Sequence, residues 1–125
     1  MQRLNAMNVP QSCSEMLRSM LDLSETELKV YRSLLSADGQ AVLEIARQIG
    51  KDRSLVQRAL QNLMSAGLIT RRTETLRNGG YYYAYDAVPP TQVKKELARC
   101  IENWHESLLE SLNRFEEEME GFLER

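Results

Sequence analysis

The hydrophobic positions of this chain repeat first at helical spacing, then alternate, and then return to helical spacing. Residues 12–21 and 24–37 carry apolar side chains at steps of three and four, which predicts two amphipathic helices. Ser24 and Glu27 have the spacing of a capping box, so the second helix is expected to begin there, and an Asp-Gly pair ends it. A short strand is predicted over residues 40–42.

A third predicted helix, residues 42–49, is expected to bury Leu43, Ala46 and Ile49. Gly50 ends this helix, because glycine accepts the left-handed conformation that a helix C-terminus commonly takes. A short turn therefore separates it from the helix that follows.

The fourth predicted helix covers about residues 53–66 and has its N-cap at Asp52 or Ser54. Its expected inward positions recur at helical spacing: Leu55, Val56, Ala59, Leu60, Leu63 and Met64. Two helices joined through a glycine, with the small Ala46 at their crossing, describe a helix-turn-helix. A packed helix pair of an all-α domain is the alternative.

The segment after these helices predicts a β-hairpin. Residues 68–75 alternate as a half-exposed strand, Asn78-Gly79-Gly80 has strong turn chemistry, and residues 81–85 form an aromatic-rich second strand. Alternation places Tyr81, Tyr83 and Tyr85 on one face and Tyr82 on the other, and at least three of the four are expected to pack the hairpin. A helix-turn-helix followed by a hairpin is a winged helix, with its wing at about residues 70–83. The predicted fold is therefore mainly α with a small β-hairpin.

A long helix is predicted from Thr91 to about Phe122. At 1.5 Å per residue it would be about 48 Å long, whereas about 30 Å already spans a small domain, so its far half would overhang. Its apolar positions form one continuous stripe: Leu97, Ile101, Trp104, Leu108, Leu112, Phe115, Met119 and Phe122. An overhanging apolar stripe predicts a coiled coil with a second copy, and hence a homodimer. Packing of the stripe against the helix at residues 12–21 is the alternative. The predicted organisation is a DNA-binding domain over residues 1–90 and a dimerisation helix over residues 91–125.

The net charge of −2 conceals a separation of charge along the chain. Residues 44–77 carry seven basic and three acidic side chains, whereas residues 92–125 carry five basic and nine acidic ones. A basic block inside a mildly acidic chain indicates a localised anionic partner. On the winged helix, the candidate DNA contacts are Arg47, Lys51, Arg53, Ser54, Gln57, Arg58, Gln61, Arg71, Arg72 and Arg77.

These side chains suit the reading of duplex DNA. Arginine can bind guanine O6 and N7, and glutamine can pair with adenine N6 and N7, while the helix N-terminus attracts phosphate. Arg71 and Arg72 are adjacent in a strand, so they are expected on opposite faces, and Arg77 beside the turn is placed to enter the minor groove. The sequence therefore predicts a sequence-specific, double-stranded DNA-binding transcriptional regulator. A winged-helix module that binds other proteins in a transcription complex is the alternative.

Several classes of function are not indicated. The composition is that of an ordinary globular domain, 42% hydrophobic and 27% charged, with no apolar run of the ~18 residues that a membrane span needs. No signal peptide is recognised, so a reducing cytoplasm is expected. The single histidine, His105, has no catalytic or metal-ligand partner in the pattern, so neither an enzyme nor a metal or other cofactor is expected. Cys13 and Cys100 are expected to be small buried hydrophobes, with a redox switch as the alternative.

Three segments resemble a known family. Residues 23–31 (LSETELKVY) are similar to the opening helix of TrmB-type and MarR-like archaeal transcriptional regulators. Residues 52–60 (DRSLVQRAL) and 67–69 resemble the recognition helix and the start of the wing in that family, and residues 82–90 resemble the strand that leads into its long helix.

The resemblance implies a homodimeric DNA-binding regulator, with DNA contacts at Arg53, Ser54, Gln57, Arg58 and the wing. The sugar-binding domain of full-length TrmB proteins has no counterpart in the pattern, so sugar sensing is not expected. A pocket for an effector is not identified, although a dimer interface lined by Trp104, Met119 and the helix that carries Met16 and Met20 offers a place for one. The operator and the direction of regulation are not predicted.

Overall fold

A computed structural model describes residues 12–124 and shows six helices and one antiparallel hairpin within them. The elements are α1 (Cys13–Leu21), α2 (Glu25–Ser36), α3 (Val42–Ile49), α4 (Arg53–Ser65), β1 (Ile69–Thr75), β2 (Tyr81–Ala87), α5 (Pro90–Asn113) and α6 (Phe115–Leu123). Residues 1–11, where no signal peptide is predicted, lie outside the described residues, as does residue 125. The predicted fold class, a winged helix-turn-helix followed by a long C-terminal helix, is confirmed. In the described part of the chain, no helix is both long enough and apolar enough to span a membrane.

The chain divides into two compact units, with the boundary between Pro89 and Pro90. The first unit contains α1 to α4 and the hairpin, and its core lies where α2, α3, α4 and the base of the hairpin meet. The largest fully buried side chains of this core are Val30, Leu34, Ile45, Val56, Leu60, Leu63, Leu68 and Tyr85.

Local sequence signals set the ends of the helices as predicted. The Ser24 hydroxyl accepts from the Glu27 N–H at 3.1 Å and the Glu27 side chain accepts from the Ser24 N–H, which completes the capping box of α2. Gly50 ends α3 at φ +69°, in the left-handed region. Of the two candidate caps for α4, Asp52 is the one used, because its Oδ1 accepts from the Leu55 N–H at 2.9 Å.

The predicted inward face of α3 is right for Ala46 but wrong for Leu43, whose place in the core is taken by the flanking Ile45. Ile45 and Ala46 are buried, whereas Leu43 is 48% exposed and Ile49 only half-buried. Leu55, predicted to face inward on α4, is likewise 43% exposed. Both helices carry neighbouring apolar residues at their N-terminal ends, so several inward faces satisfy helical spacing and packing against the other helices selects one of them.

The predicted strand at residues 40–42 is reduced to a single bridge between Gln40 and Tyr85. The Gly39 N–H donates to the Tyr85 carbonyl, the Tyr85 N–H donates to the Gln40 carbonyl, and both distances are 2.9 Å. Because α3 begins at Val42, the strand has no room to extend. These bonds attach the α2–α3 turn to β2 and so hold the base of the wing.

The second unit departs from prediction in one respect, since the expected continuous helix is interrupted at Arg114. The Arg114 N–H is shared between the carbonyls of Glu110 at 3.3 Å and Ser111 at 3.2 Å, so the regular i to i−4 pattern is loosened at that residue. No residue described in α5 or α6 is buried, and Leu108 is 70% exposed. The apolar stripe is therefore largely open to solvent in the single chain.

The expectation that the cysteines are buried is also wrong. Cys13 and Cys100 are both exposed and neither forms a disulfide among residues 12–124. Cys13 lies in α1 and Cys100 in α5, and neither helix has a buried residue in the single chain, so neither offers a core position for the thiol.

Candidate nucleic-acid interface

The N-terminal end of α4 presents polar and basic side chains to solvent. Arg53, Arg58 and Gln61 are exposed and Gln57 is half-buried. Ser54 is exposed too, but its hydroxyl donates to Asp52 Oδ1 at 2.9 Å, so part of its hydrogen-bonding capacity already serves the cap. The outer face of α4 therefore carries two arginines and two glutamines.

Asp52 remains a carboxylate at this basic surface. Hydrogen bonds from the Leu55 N–H and the Ser54 hydroxyl lower the pKa of Asp52, and the Arg58 charge adds to the effect. A deprotonated Asp52 keeps the first turn of α4 capped, which fixes the direction in which Arg53 and Gln57 project.

The last turn of α3 and the turn before α4 contribute one more cation each. Arg47 and Lys51 are both exposed. The N–H groups of Gly50 and Lys51 both donate to the Ala46 carbonyl, at 3.0 and 3.2 Å, so the turn is closed by backbone bonds. These bonds use main-chain groups, which leaves the ammonium group of Lys51 available to a partner outside the chain.

The wing confirms that Arg71 and Arg72 lie on opposite faces. β1 and β2 pair antiparallel, with Arg71 opposite Tyr85 and Arg72 opposite Ala84, and residues directly opposite share a face. The Arg71 guanidinium lies 4.1 Å from the centre of the Tyr83 ring, a cation–π contact.

Arg72 differs from the other predicted DNA contacts because it is paired within the chain. Its Nε donates to Asp86 Oδ2 at 2.8 Å, and its Nη1 pairs with Glu74. The hydrogen bond and the charge of Asp86 raise the pKa of Arg72. Arg72 therefore bridges the two strands at the base of the wing.

Arg77 lies at the tip of the wing, as predicted. The Leu76 N–H donates to the Gly80 carbonyl at 2.7 Å, and Asn78 Oδ1 accepts from the Gly80 N–H at 3.1 Å. These bonds order the turn, and the Arg77 side chain is exposed. Six of the basic residues predicted to contact DNA form no ion pair within residues 12–124: Arg47, Lys51, Arg53, Arg58, Arg71 and Arg77.

The structure corrects the expectation that at least three wing tyrosines pack the hairpin. Of these four only Tyr85 is buried, whereas Tyr81 is 64% exposed and Tyr82 and Tyr83 are each 39% exposed. The strand alternation is as predicted, but a two-stranded wing extends beyond the helices that cover its base. Tyr81 and Tyr83 therefore contact each other and Arg71 but are not buried by a helix.

A cleft of about 370 Å³ separates β2 from the start of α3 and the N-terminal end of α4. Residues 41–43, Arg53, Gln57 and β2 line it. Gln57 Nε2 donates to the Tyr85 hydroxyl at 3.4 Å, which joins α4 to the wing, and both residues line the cleft. In residues 12–124 no cluster of His, Cys, Asp and Glu could hold a metal ion.

Comparison with known proteins agrees with this architecture. Residues 17–91 match the model of the family described as sugar-specific transcriptional regulator TrmB. This chain belongs to the TrmB family. It is thus a winged-helix transcriptional regulator and not an enzyme, as the sequence predicts.

The relatives of this TrmB-family chain include an uncharacterized protein of Methanocaldococcus jannaschii, 36% identical over 112 residues, which are 87% of this chain and 84% of the relative. A possible transcriptional regulator from Methanosarcina mazei has a similar structure, with a TM-score of 0.73 at 23% identity over 82% of this chain and 88% of that one. A MepR mutant of S. aureus, solved bound to an oligodeoxyribonucleotide, has a TM-score of 0.51 at 18% identity over 87% and 80% of the two chains. The two structures show that the fold is shared.

Proposed function

We propose that this regulator binds double-stranded DNA sequence-specifically as a homodimer. In this proposal α4 enters the major groove and the wing, about residues 70–83, contacts the minor groove or the backbone. The observation that carries it is a set of six exposed cations without an ion pair among residues 12–124. They lie on α4, the last turn of α3, the turn between these helices and the wing. The MepR structure supports it, because that protein binds an oligodeoxyribonucleotide with a similar fold.

The side chains divide into two roles. Arg53, Gln57, Arg58 and Gln61 project from the helix that would enter the groove, where arginine and glutamine can read guanine and adenine. Arg47, Lys51, Arg71 and Arg77, with the Ser54 hydroxyl, would contact phosphates or the minor groove and set the position of the protein on the duplex. Arg72 would act indirectly, by holding the wing in place through Asp86.

The homodimer would form through the apolar stripe of α5 and α6. Ile101, Trp104, Leu108, Leu112, Phe115, Met119 and Phe122 are all exposed in the single chain. Burial of each such side chain gains roughly 1.5–3 kcal/mol, so covering the stripe with the same stripe of a second copy is strongly favourable. A two-fold dimer would then place two recognition helices in successive major grooves, about 34 Å apart.

Salt-dependent binding tests the DNA part of the proposal. The purified chain is used to select fragments from random duplex DNA, and the affinity for the selected duplex is then measured by fluorescence anisotropy at several salt concentrations. About six to eight phosphate contacts per dimer predict a slope of log affinity against log salt near −5 to −7. A flat salt response, or no retention of duplex at low salt, would contradict DNA binding and favour a protein-binding module.

Light scattering tests the homodimer. Leu108→Glu places a charge in the stripe and, because Leu108 is exposed in the single chain, leaves the fold of the protomer unaffected. We expect this variant to be monomeric, whereas the matched control Glu106→Gln, which changes charge outside the stripe, stays dimeric. A Leu108→Glu variant that remained dimeric would move the interface away from α5 and α6.

A further inference from the structure

The face of the wing that is turned toward α4 is aromatic as well as basic. Tyr85 identifies this face, because its hydroxyl accepts from Gln57 of α4. Tyr81 and Tyr83 share the face by strand alternation, and Arg71 shares it by register. Tyr82 alternates to the opposite face of the strand but also contributes to the lining of the cleft.

The exposed rings on this face are ordered by contacts with each other. The Tyr81 and Tyr83 rings meet edge to face, with their centres 5.8 Å apart and their planes at 70°. The Arg71 guanidinium stacks on Tyr83 at 4.1 Å. This contact occupies the face of the guanidinium and leaves its N–H edges available as donors. The surface is thus preorganised while still exposed to solvent.

The aromatic and basic face of the wing is chemically complementary to one strand of a DNA duplex. The cleft beside it has no acidic residue among those that line it in the described part of the chain, and it carries Arg53 on the α4 side. A DNA strand presents apolar C–H faces of deoxyribose between charged phosphates, so rings flanked by guanidinium groups complement both parts. If α4 lies in the major groove and the wing at the minor groove, the strand that separates the two grooves must pass between α4 and β2.

We infer that Tyr81 and Tyr83 pack against the deoxyriboses of that strand, while Arg71 and Arg53 bind its phosphates from either side of the cleft. This inference rests on the proposed DNA binding and specifies how the wing recognises the strand. The contribution of the rings to the binding affinity does not depend on salt concentration, whereas the contribution of the arginines does.

Hydroxyl-radical footprinting tests the inference, because the radical attacks deoxyribose and so reports which sugars are covered. The Tyr81→Ala/Tyr83→Ala double variant is compared with wild type on the selected duplex, at protein concentrations that saturate each. The control is Leu76→Ala, which truncates an exposed side chain of the wing that does not line the cleft. We expect the double variant to lose protection of a few adjacent sugars and the control to keep them. By anisotropy, the double variant should bind about tenfold more weakly with an unchanged salt slope, since aromatic residues are frequent energetic hot spots.

Two further measurements separate the outcomes. Tyr81→Ala alone removes the most exposed ring and should give part of the same loss, and Tyr81→Phe/Tyr83→Phe should keep the protection because the rings remain. Wild-type sugar protection in the double variant would overturn the inference and leave the proposed function intact. A wild-type chain that does not retain duplex would overturn both.

Discussion

Gly39 offers a sharp test of how the base of the wing is held. Gly39 has φ +75°, and a Cβ built on it would lie 2.6 Å from Arg72 Nη2. An alanine at this position would therefore have to adopt a left-handed backbone and push aside the Nη2 end of the Arg72 guanidinium, whose Nε is bonded to Asp86. Gly50 is the matched control, because its φ is +69° and a Cβ there would meet nothing within 4 Å.

The expected magnitudes follow from this difference. Left-handed strain costs about 1–2 kcal/mol for a residue with a Cβ, so Gly50→Ala should destabilise the fold by about that amount. Gly39→Ala should cost the same strain and, in addition, weaken the ion pair of Arg72 with Asp86, because the guanidinium must shift. In an Arg72→Ala background this ion pair is already absent, so the two alanine substitutions should become equally destabilising.

Equilibrium urea unfolding of these variants measures the effect as a double-mutant cycle. Arg72→Ala combined with each glycine substitution completes the set. Equal destabilisation by Gly39→Ala and Gly50→Ala in the native background would refute the reasoning, because the close approach of Arg72 would then have no energetic consequence. If Gly39→Ala still destabilised the fold more than Gly50→Ala in the Arg72→Ala background, the additional cost would arise from a neighbour other than Arg72.

Other predictions concern recognition, burial and pH. Arg58→Ala should lower discrimination among duplex sequences, whereas Arg77→Ala should weaken all duplexes evenly and reduce the salt slope; binding selections on both variants check this. Leu60→Ala should destabilise the fold by about 2–5 kcal/mol in urea unfolding, but Leu55→Ala by about 0.5 kcal/mol, because Leu60 is fully buried and Leu55 is largely exposed. Burial raises the pKa of Tyr31 above the ordinary value of 10.0, so its contribution to stability is complete below pH 10 and is lost as pH rises through the folded-state pKa. Tyr31→Phe should therefore cost about 1 kcal/mol at pH 7, through loss of a hydrogen bond to a main-chain carbonyl, with a deficit that shrinks above about pH 10 in urea unfolding.

The parts of the fold that the sequence predicts well are those set by neighbouring residues. The cap at Ser24, the left-handed Gly50 and the turn at residues 78–80 each depend on side chains within a few positions. The order of helix, turn, helix and hairpin follows from these signals together with the change in hydrophobic period. The winged-helix fold can therefore be predicted from the sequence alone.

The parts that sequence reasoning missed depend on contacts between distant residues. Leu43 and Ile45 both fit a buried face of α3, and only packing against α2 and α4 decides between them. The pairing of Arg72 with Asp86 joins two strands through a register that alternation alone does not give. The exposure of Tyr83 depends on where the covering helices stop, which no local pattern records.

The interruption at Arg114 has a consequence for assembly. It leaves α6 with only nine residues, fewer than the ~12–15 that an isolated helix needs to be even marginally stable in water. The spacing of the stripe also changes just before this point. Trp104, Leu108 and Leu112 follow one another at two successive steps of four residues, whereas a strict heptad alternates steps of three and four. If two copies pair as proposed, they meet through a helix of 24 residues and a separate helix of nine, and the terminal helix gains its order from the partner that covers it.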